Sequence, residues 1–157
     1  MDNANTGIQD ADDRNSESFL AYFKDRTSST YVKQSLTALS LVYGADSVVA
    51  EMFCGDPPGR AHCTNWVQPL AYLRIGTIQF GLCPIFFPLE KQRYDCRPYK
   101  YDKMHVIAHE LLHLYIGTQD YAFGIDKSQK LSAELARHNP DNYAYFLRSL
   151  RIEDGCF

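Results

Sequence analysis

The stretch Asp102-Lys103-Met104-His105-Val106-Ile107-Ala108-His109-Glu110-Leu111-Leu112-His113-Leu114-Tyr115 decides how this chain is read. Ile107, Leu111, Leu112 and Leu114 recur at helical spacing and predict a helix over about 102–115, closed by Gly117. His109 and His113 stand at positions i and i+4, so both imidazoles lie on one face, about one turn apart, within reach of one metal ion. Glu110 projects beside them, where a carboxylate can take a proton from a metal-bound water. These polar groups are set among Val106, Ile107, Ala108, Leu111 and Leu112, and in so apolar a helix they need partners. His105 lies one turn earlier on the same face. Three histidines over that span cover about 12 Å of helix axis, too far for one ion with bonds near 2 Å. His105 is therefore expected beside the site rather than on the metal.

A tetrahedral catalytic zinc takes a third protein ligand and keeps one position open for water. Asp120, Asp126, Glu134 and His138 are the candidates downstream. Gly117 lets the chain fold back, which brings Asp120 near through a short loop. Glu134 lies on the next predicted helix. Spacing alone leaves the choice open.

Outward from this helix the chain reads as α+β. Ser16 caps a short helix carrying Phe19, Leu20, Tyr22 and Phe23, and Ser29 to Tyr43 forms a longer one stopped by Gly44. Ser47 to Phe53 reads as a strand. Leu70 to Arg74 and Thr77 to Cys83 flank Ile75-Gly76 as a hairpin, whose exposed edge suits pairing with an extended peptide. Ile85-Phe86-Phe87, between Pro84 and Pro88, is expected to pack on the active helix. A further helix is expected over about 128–138. Asn139 then caps a last one, with Pro140 at its first position and Asp141 in its first turn. Residues 1–15 lack an apolar period and read as a flexible tail, leaving 16–157 as a single domain.

The chain has 157 residues, 45% apolar and 22% charged, which suits one folded domain rather than a disordered chain. No apolar run is long enough to span a membrane. A net charge of −3 without a Lys/Arg cluster gives no electrostatic footprint for nucleic acid. Eleven Tyr and nine Phe suggest a packed aromatic core and an aromatic-lined cleft. The five cysteines form no C-x-x-C pair, so two disulfides and one spare thiol are expected in place of a structural zinc site. That implies secretion. Met1 to Asp13 is polar and acidic and does not read as a leader, so either the chain is a processed form with an added Met or the disulfide reading is wrong.

His109-Glu110-Leu111-Leu112-His113, followed by Gly117-Thr118-Gln119-Asp120-Tyr121-Ala122-Phe123-Gly124, resembles the signature of the aspzincins, H-E-x-x-H then G-T-x-D-x-x-Y-G. These are the deuterolysin-type and lysine-specific fungal zinc metalloendopeptidases. Leu82-Cys83-Pro84-Ile85-Phe86-Phe87 and Asn139-Pro140-Asp141-Asn142-Tyr143-Ala144-Tyr145-Phe146 resemble two further family segments, and Cys156 resembles its C-terminal cysteine. The likeness runs over about residues 17–157. It implies a zincin-like fold, with helices around a small, mainly antiparallel sheet. It also implies one zinc per chain held by His109, His113 and Asp120, with Glu110 as general base. It implies the disulfides Cys63–Cys83 and Cys96–Cys156, with Cys54 unpaired. Asp141, Tyr143 and Phe123 are the expected substrate-binding residues.

The chain departs from the family pattern in three places. Phe123 stands where the motif has a tyrosine that stabilises the oxyanion; Tyr115, Tyr121 and Tyr143 are the candidates to replace it. Ala144 stands where lysine-specific members carry a glutamate. An N-terminal cysteine that would pair with Cys54 is absent. The expected activity is that of a secreted, monomeric zinc endopeptidase acting on peptides or proteins. The alternative is a metalloprotease-like secreted effector or binding protein that keeps zinc with little turnover.

Overall fold

The computed structural model describes residues 8–9, 16–44, 51–56, 61–64, 69–74, 77, 79–90 and 101–150. Its elements, in chain order, are α1 (Glu17–Phe23), α2 (Ser29–Gly44), β1 (Glu51–Cys54), β2 (Ala71–Arg74), β3 (Gln79–Leu82), α3 (Lys103–Ile116), α4 (Ile125–Ser128), α5 (Ala133–Ala136) and α6 (Pro140–Ser149). Single 3-10 turns cover Arg26–Ser28 and Pro84–Phe86. The α+β class and the active-site helix stand as expected.

The helix ends follow capping chemistry. Ser16 accepts from the Phe19 N–H at the start of α1, and Asp102 accepts from the His105 N–H at the start of α3. Gly117 ends α3 in the left-handed region at φ 72°, donating its N–H to the His113 carbonyl. A side chain there would be strained, so glycine is what turns the chain back toward the helix it has just left.

The sheet has the order β1-β3-β2, with β2 antiparallel and β1 parallel to β3. It is therefore mixed rather than mainly antiparallel. After β1 the chain crosses to the far edge before the hairpin returns it to the centre, so β1 and β3 run in the same direction. Gly81 faces Tyr72 across this hairpin, where a Cβ would collide with the tyrosine ring.

The expected helix over 128–138 is broken into α4 and α5. The Ser128 carbonyl accepts from Asn142 Nδ2 at 3.1 Å, and Ser132 caps a fresh turn by accepting from the Leu135 N–H. Both bonds compete with a continuous helical ladder. Ile85-Phe86-Phe87 does not pack as a unit: Phe86 is buried, while Ile85 and Phe87 are exposed. In a 3-10 turn successive side chains point about 120° apart, so only one of three can face the core.

Every residue of α6 is buried, so it is the central helix of the domain rather than an amphipathic surface one. It packs chiefly against α3, and also against α1 and α4. Phe19, Tyr22, Phe23, Tyr143 and Phe146 form the aromatic core between α1 and α6, with ring centroids 4.9 to 6.4 Å apart and mostly edge-on. Ile8 leans on the same core.

Cys63 and Cys83 form a disulfide that ties the β1–β2 connection to the end of β3. Cys54 is free and exposed. Cys96, Cys156 and Trp66 lie outside the described residues, as do most of residues 1–15 and 45–50. Closing a loop of sequence separation 20 restricts the unfolded chain by about 3 kcal/mol. The double variant Cys63→Ala/Cys83→Ala is expected to lose about that much in a urea melt. A loss under about 1 kcal/mol would mean that the bridge constrains the unfolded chain far less than loop entropy requires.

Candidate metal centre

Two elements and one loop build the site. Helix α3 carries His105, His109, Glu110 and His113. The loop after Gly117 brings back Asp120. The buried first turn of α6 presents Asp141 from below.

His109 Nε2, His113 Nε2 and Asp120 Oδ1 form a near-equilateral triangle, with edges of 3.1, 3.1 and 3.2 Å. A tetrahedral ion with bonds of about 2.0–2.1 Å holds its ligand atoms about 3.3 Å apart, which this triangle matches closely. The tautomers agree with it. His113 Nδ1–H donates to the Thr118 carbonyl at 2.7 Å, and His109 Nδ1–H donates to Asp141 Oδ1 at 2.8 Å. Each Nε2 lone pair is thereby directed into the triangle, as a metal ligand requires. The two Nε2 atoms face each other at 3.1 Å, a separation that a shared proton or a metal ion between them would satisfy. This donor set fits zinc.

Among the described residues the other metal-capable group is His105, His109 and Asp141, all buried. Its distances are those of a hydrogen-bond network: His105 Nε2–H donates to Asp141 Oδ1 at 3.0 Å, beside the bond from His109. His105 therefore braces the carboxylate that braces His109. The remaining third-ligand candidates stand elsewhere. Asp126 and Glu134 are exposed, and His138 Nδ1 pairs with the Tyr31 hydroxyl at 3.1 Å.

Three expected substrate-binding residues separate. Phe123 stays at the site, exposed, with its ring stacked on His109 at 6.0 Å. Asp141 lies beneath it, 1% exposed, with Oδ2 accepting from the Gly124 N–H at 2.7 Å. It orients His109 and offers substrate no accessible oxygen. Tyr143 is in the core, its hydroxyl donating to the Arg137 carbonyl at 2.7 Å and its ring edge-on to Phe23. Position i+2 from Asp141 points to the far side of α6, away from the site. Tyr121 is exposed, its hydroxyl donating to Gln119 Oε1, and Tyr115 does not line the cleft.

Asn139 was expected as a helix cap. It makes no capping bond; instead its Oδ1 accepts from the N–H groups of Tyr121 and Ala122, at 3.0 and 3.1 Å. A fully buried amide thus holds the loop that carries Asp120. A capping amide and a loop-anchoring amide share one sequence pattern, Asn before Pro, so only the distant partners distinguish them. Tyr101 also lines the cleft, against the His105 ring at 4.8 Å, and no spacing pattern pointed to it.

The electrostatics follow from this packing. Burial opposes ionisation of Asp141, but the imidazoles of His105 and His109 outweigh it and hold the carboxyl well below the usual carboxylate range. Burial likewise opposes ionisation of Asp120, and His109 and His113 overcome it. Burial pushes the Glu110 carboxyl up, only partly countered by the same two imidazoles. For His109 burial disfavours the cation, yet Asp120 and Asp141 raise it to about 10. In metal-free protein His109 therefore carries a proton where zinc would sit, and zinc must displace it. Zinc affinity is expected to tighten about tenfold per pH unit from about pH 7 to about pH 9, with about one proton released from this group. Calorimetry in buffers of different ionisation enthalpy measures that release. A flat affinity over this range would mean that His109 is already neutral.

A sequence profile of the aspzincin family, described as lysine-specific metallo-endopeptidase, matches residues 8–148. Neutral protease 2 of Aspergillus oryzae is 27% identical over 156 residues, covering 96% of this chain and 43% of the relative. A neutral protease 2 homolog of Phaeosphaeria nodorum is 31% identical over 136 residues, covering 83% of this chain and 37% of the relative. The chain spans only 36–54% of the length of neutral protease 2 and its homologues in Trichophyton verrucosum and Aspergillus flavus. Its fold is similar to that of a zinc peptidase from Grifola frondosa, with TM-score 0.70 and 19% identity over 94% of this chain and 86% of that one.

Proposed function

This chain belongs to the aspzincin family of metalloendopeptidases, and from that premise we propose that it hydrolyses internal peptide bonds with one zinc held by His109, His113 and Asp120. The single observation that carries this reading is the triangle of two Nε2 atoms and one carboxylate oxygen, closed to 3.1–3.2 Å and braced from behind by Asp141 and Thr118.

Bound zinc supplies Lewis acidity, acidifying a water and polarising a carbonyl. The protein does the rest. Glu110, buried beside the ligands, takes the proton of the attacking water on a carboxylate oxygen and returns it to the leaving amine. Its upward-shifted carboxyl suits both transfers better than an exposed glutamate would. Asp141 keeps the His109 ring in the ligating tautomer, and His105 keeps Asp141 in place. β2 is an edge strand of the sheet and begins at Ala71, which lines the cleft, a placement that suits an extended peptide added as a further strand.

In this reading residues 16–157 act as one zincin-like domain, as a monomer outside the cell. Support for the compartment comes from the Cys63–Cys83 disulfide. The test is cleavage of denatured casein by the zinc-loaded chain. Chelation should abolish it and zinc should restore it; zinc binding without any cleavage would favour an effector that binds rather than cuts.

Phe123 removes one donor from the chemistry. Its ring stacks on His109 but carries no hydroxyl, and one missing oxyanion donor costs about 2.7–4 kcal/mol of transition-state stabilisation in comparable sites. Phe123→Tyr is expected to raise kcat roughly 10²-fold with little change in KM or zinc affinity. An unchanged kcat would mean that another donor already serves the oxyanion.

A further inference from the structure

We infer that Asn142 is a positioning residue for the third metal ligand: it acts through Asn139 to hold the loop that carries Asp120. The inference rests on the zinc reading of the site and assigns a residue outside its ligands. Asn139 stands at the N-cap of α6 and Asn142 in its first turn, and both are wholly buried. Their amides join in series. Asn142 Nδ2 donates to the Tyr22 carbonyl at 2.6 Å and to the Ser128 carbonyl at 3.1 Å. Asn142 Oδ1 accepts from Asn139 Nδ2 at 2.8 Å, and that nitrogen also stands 3.5 Å from Ser128 Oγ. Asn139 Oδ1 then accepts from the N–H groups of Tyr121 and Ala122, the two residues that follow Asp120.

The backbone fixes both ends of this chain of bonds, because a carbonyl only accepts and an N–H only donates. The Tyr22 and Ser128 carbonyls lie in the last turns of α1 and α4, where the helical ladder runs out. They require the NH2 end of Asn142, which turns its Oδ1 toward Asn139. The Tyr121 and Ala122 N–H groups require the oxygen of Asn139, which turns its NH2 end toward Asn142. The junction is thus a matched donor and acceptor, and turning either amide over would set like atoms against each other. On the other side of Asp120 the Gln119 N–H donates to the His138 carbonyl at 2.9 Å, so the ligand is held from both flanks. Truncating Asn142 removes what keeps Asn139 in one orientation. A turned Asn139 would present N–H to N–H at Tyr121 and Ala122, and Asp120 Oδ1 would lose its fixed place 3.1–3.2 Å from the two Nε2 atoms.

Two readouts on the full chain test this: zinc affinity by competition with a chromophoric chelator, and amide hydrogen exchange of the metal-free protein by NMR. Asn142→Ala is expected to weaken zinc binding roughly tenfold, the lower end of what losing a partner behind a metal ligand costs. It should also speed exchange at Tyr121 and Ala122 at least about tenfold. Asn142→Ser, one atom too short to keep the bond to Asn139, carries the same expectation and serves where the alanine variant does not fold. Phe146→Leu, which opens the aromatic core on the same helix, should lower the melting temperature and leave zinc affinity and both amides unchanged. In a double-mutant cycle, Asn142→Ala should add less than about twofold to the effect of Asn139→Ala on zinc. Zinc affinity within about twofold of wild type in a folded Asn142 variant overturns the proposal, as does an equal loss in Phe146→Leu or full additivity in the cycle. Fast exchange of Tyr121 and Ala122 in the wild type overturns it as well. So does failure of both Asn142 variants to fold, because the amide would then serve the whole fold. Exchange needs no zinc: slow in wild type and fast in Asn142→Ala, in a chain that binds no zinc, it supports the loop assignment and overturns the metal reading.

Discussion

Glu110→Gln is expected to lower kcat by about 10³–10⁴ while leaving zinc affinity within a few-fold of wild type. The substitution keeps the shape of the side chain and removes only the ability to hold a proton. Glu110 is 7% exposed and lies between the two histidines in sequence, but it belongs to neither edge of the ligand triangle. Its loss should therefore act on the chemical step and not on the metal. Burial pushes its carboxyl up in the metal-free protein, so at neutral pH the folded state pays for a desolvated charge. The raised carboxyl contributes stability below its unfolded pKa that is lost as pH rises. Glutamine lacks that dependence, and metal-free Glu110→Gln should melt no lower than wild type at pH about 7. Steady-state kinetics on a quenched peptide, zinc titration and a thermal melt give the three readouts. A fall of kcat below tenfold with zinc bound would assign the base elsewhere.

The second large effect concerns the third ligand. Asp120→Ala is expected to weaken zinc binding by about 10²–10⁴, and Glu134→Ala to leave it unchanged. Structural zinc sites with four protein ligands bind with about 10–16 kcal/mol, so one ligand in three carries several kcal/mol. Asp120 Oδ1 stands 3.1 and 3.2 Å from the two Nε2 atoms, whereas Glu134 is exposed on α5 and belongs to neither metal-capable group. Competition with a chromophoric chelator measures both variants. The reverse order would remove Asp120 from the metal and undo the triangle. Asp120→Ala should also lower the melting temperature of the metal-free protein modestly at neutral pH, because it removes the carboxylate that His109 and His113 hold ionised, an effect reduced by the half-exposure of this group.

How much of this was readable in one dimension depended on the range of the interaction. His109, Glu110 and His113 were legible because the α-helix converts a spacing of i, i+4 into a shared face without any tertiary information. The capping of α1 by Ser16 and the stop of α3 at Gly117 were legible for the same reason: each depends on partners within four residues. The Cys63–Cys83 bridge came from resemblance to a family, since five cysteines leave the pairing open to spacing alone.

Tertiary structure decided what depends on distant partners. Family resemblance made Asp141 a substrate carboxylate, and its place before Pro140 made Asn139 a helix cap. Residues 17 to 36 positions away assign them instead, as the brace of His109 and the anchor of the Asp120 loop. Tyr143 was a candidate to replace the tyrosine of the family motif, but the complete burial of α6 turns it into the aromatic core. Local chemistry along α3 determined that the chain carries a metal-binding helix. The return of the loop after Gly117 decided which carboxylate completes the triangle, and the packing of α6 beneath α3 decided which one only supports it. Helical periodicity is set by backbone hydrogen bonds four residues long, while the fate of a buried carboxylate is set by whichever N–H groups the fold brings within about 3 Å of it.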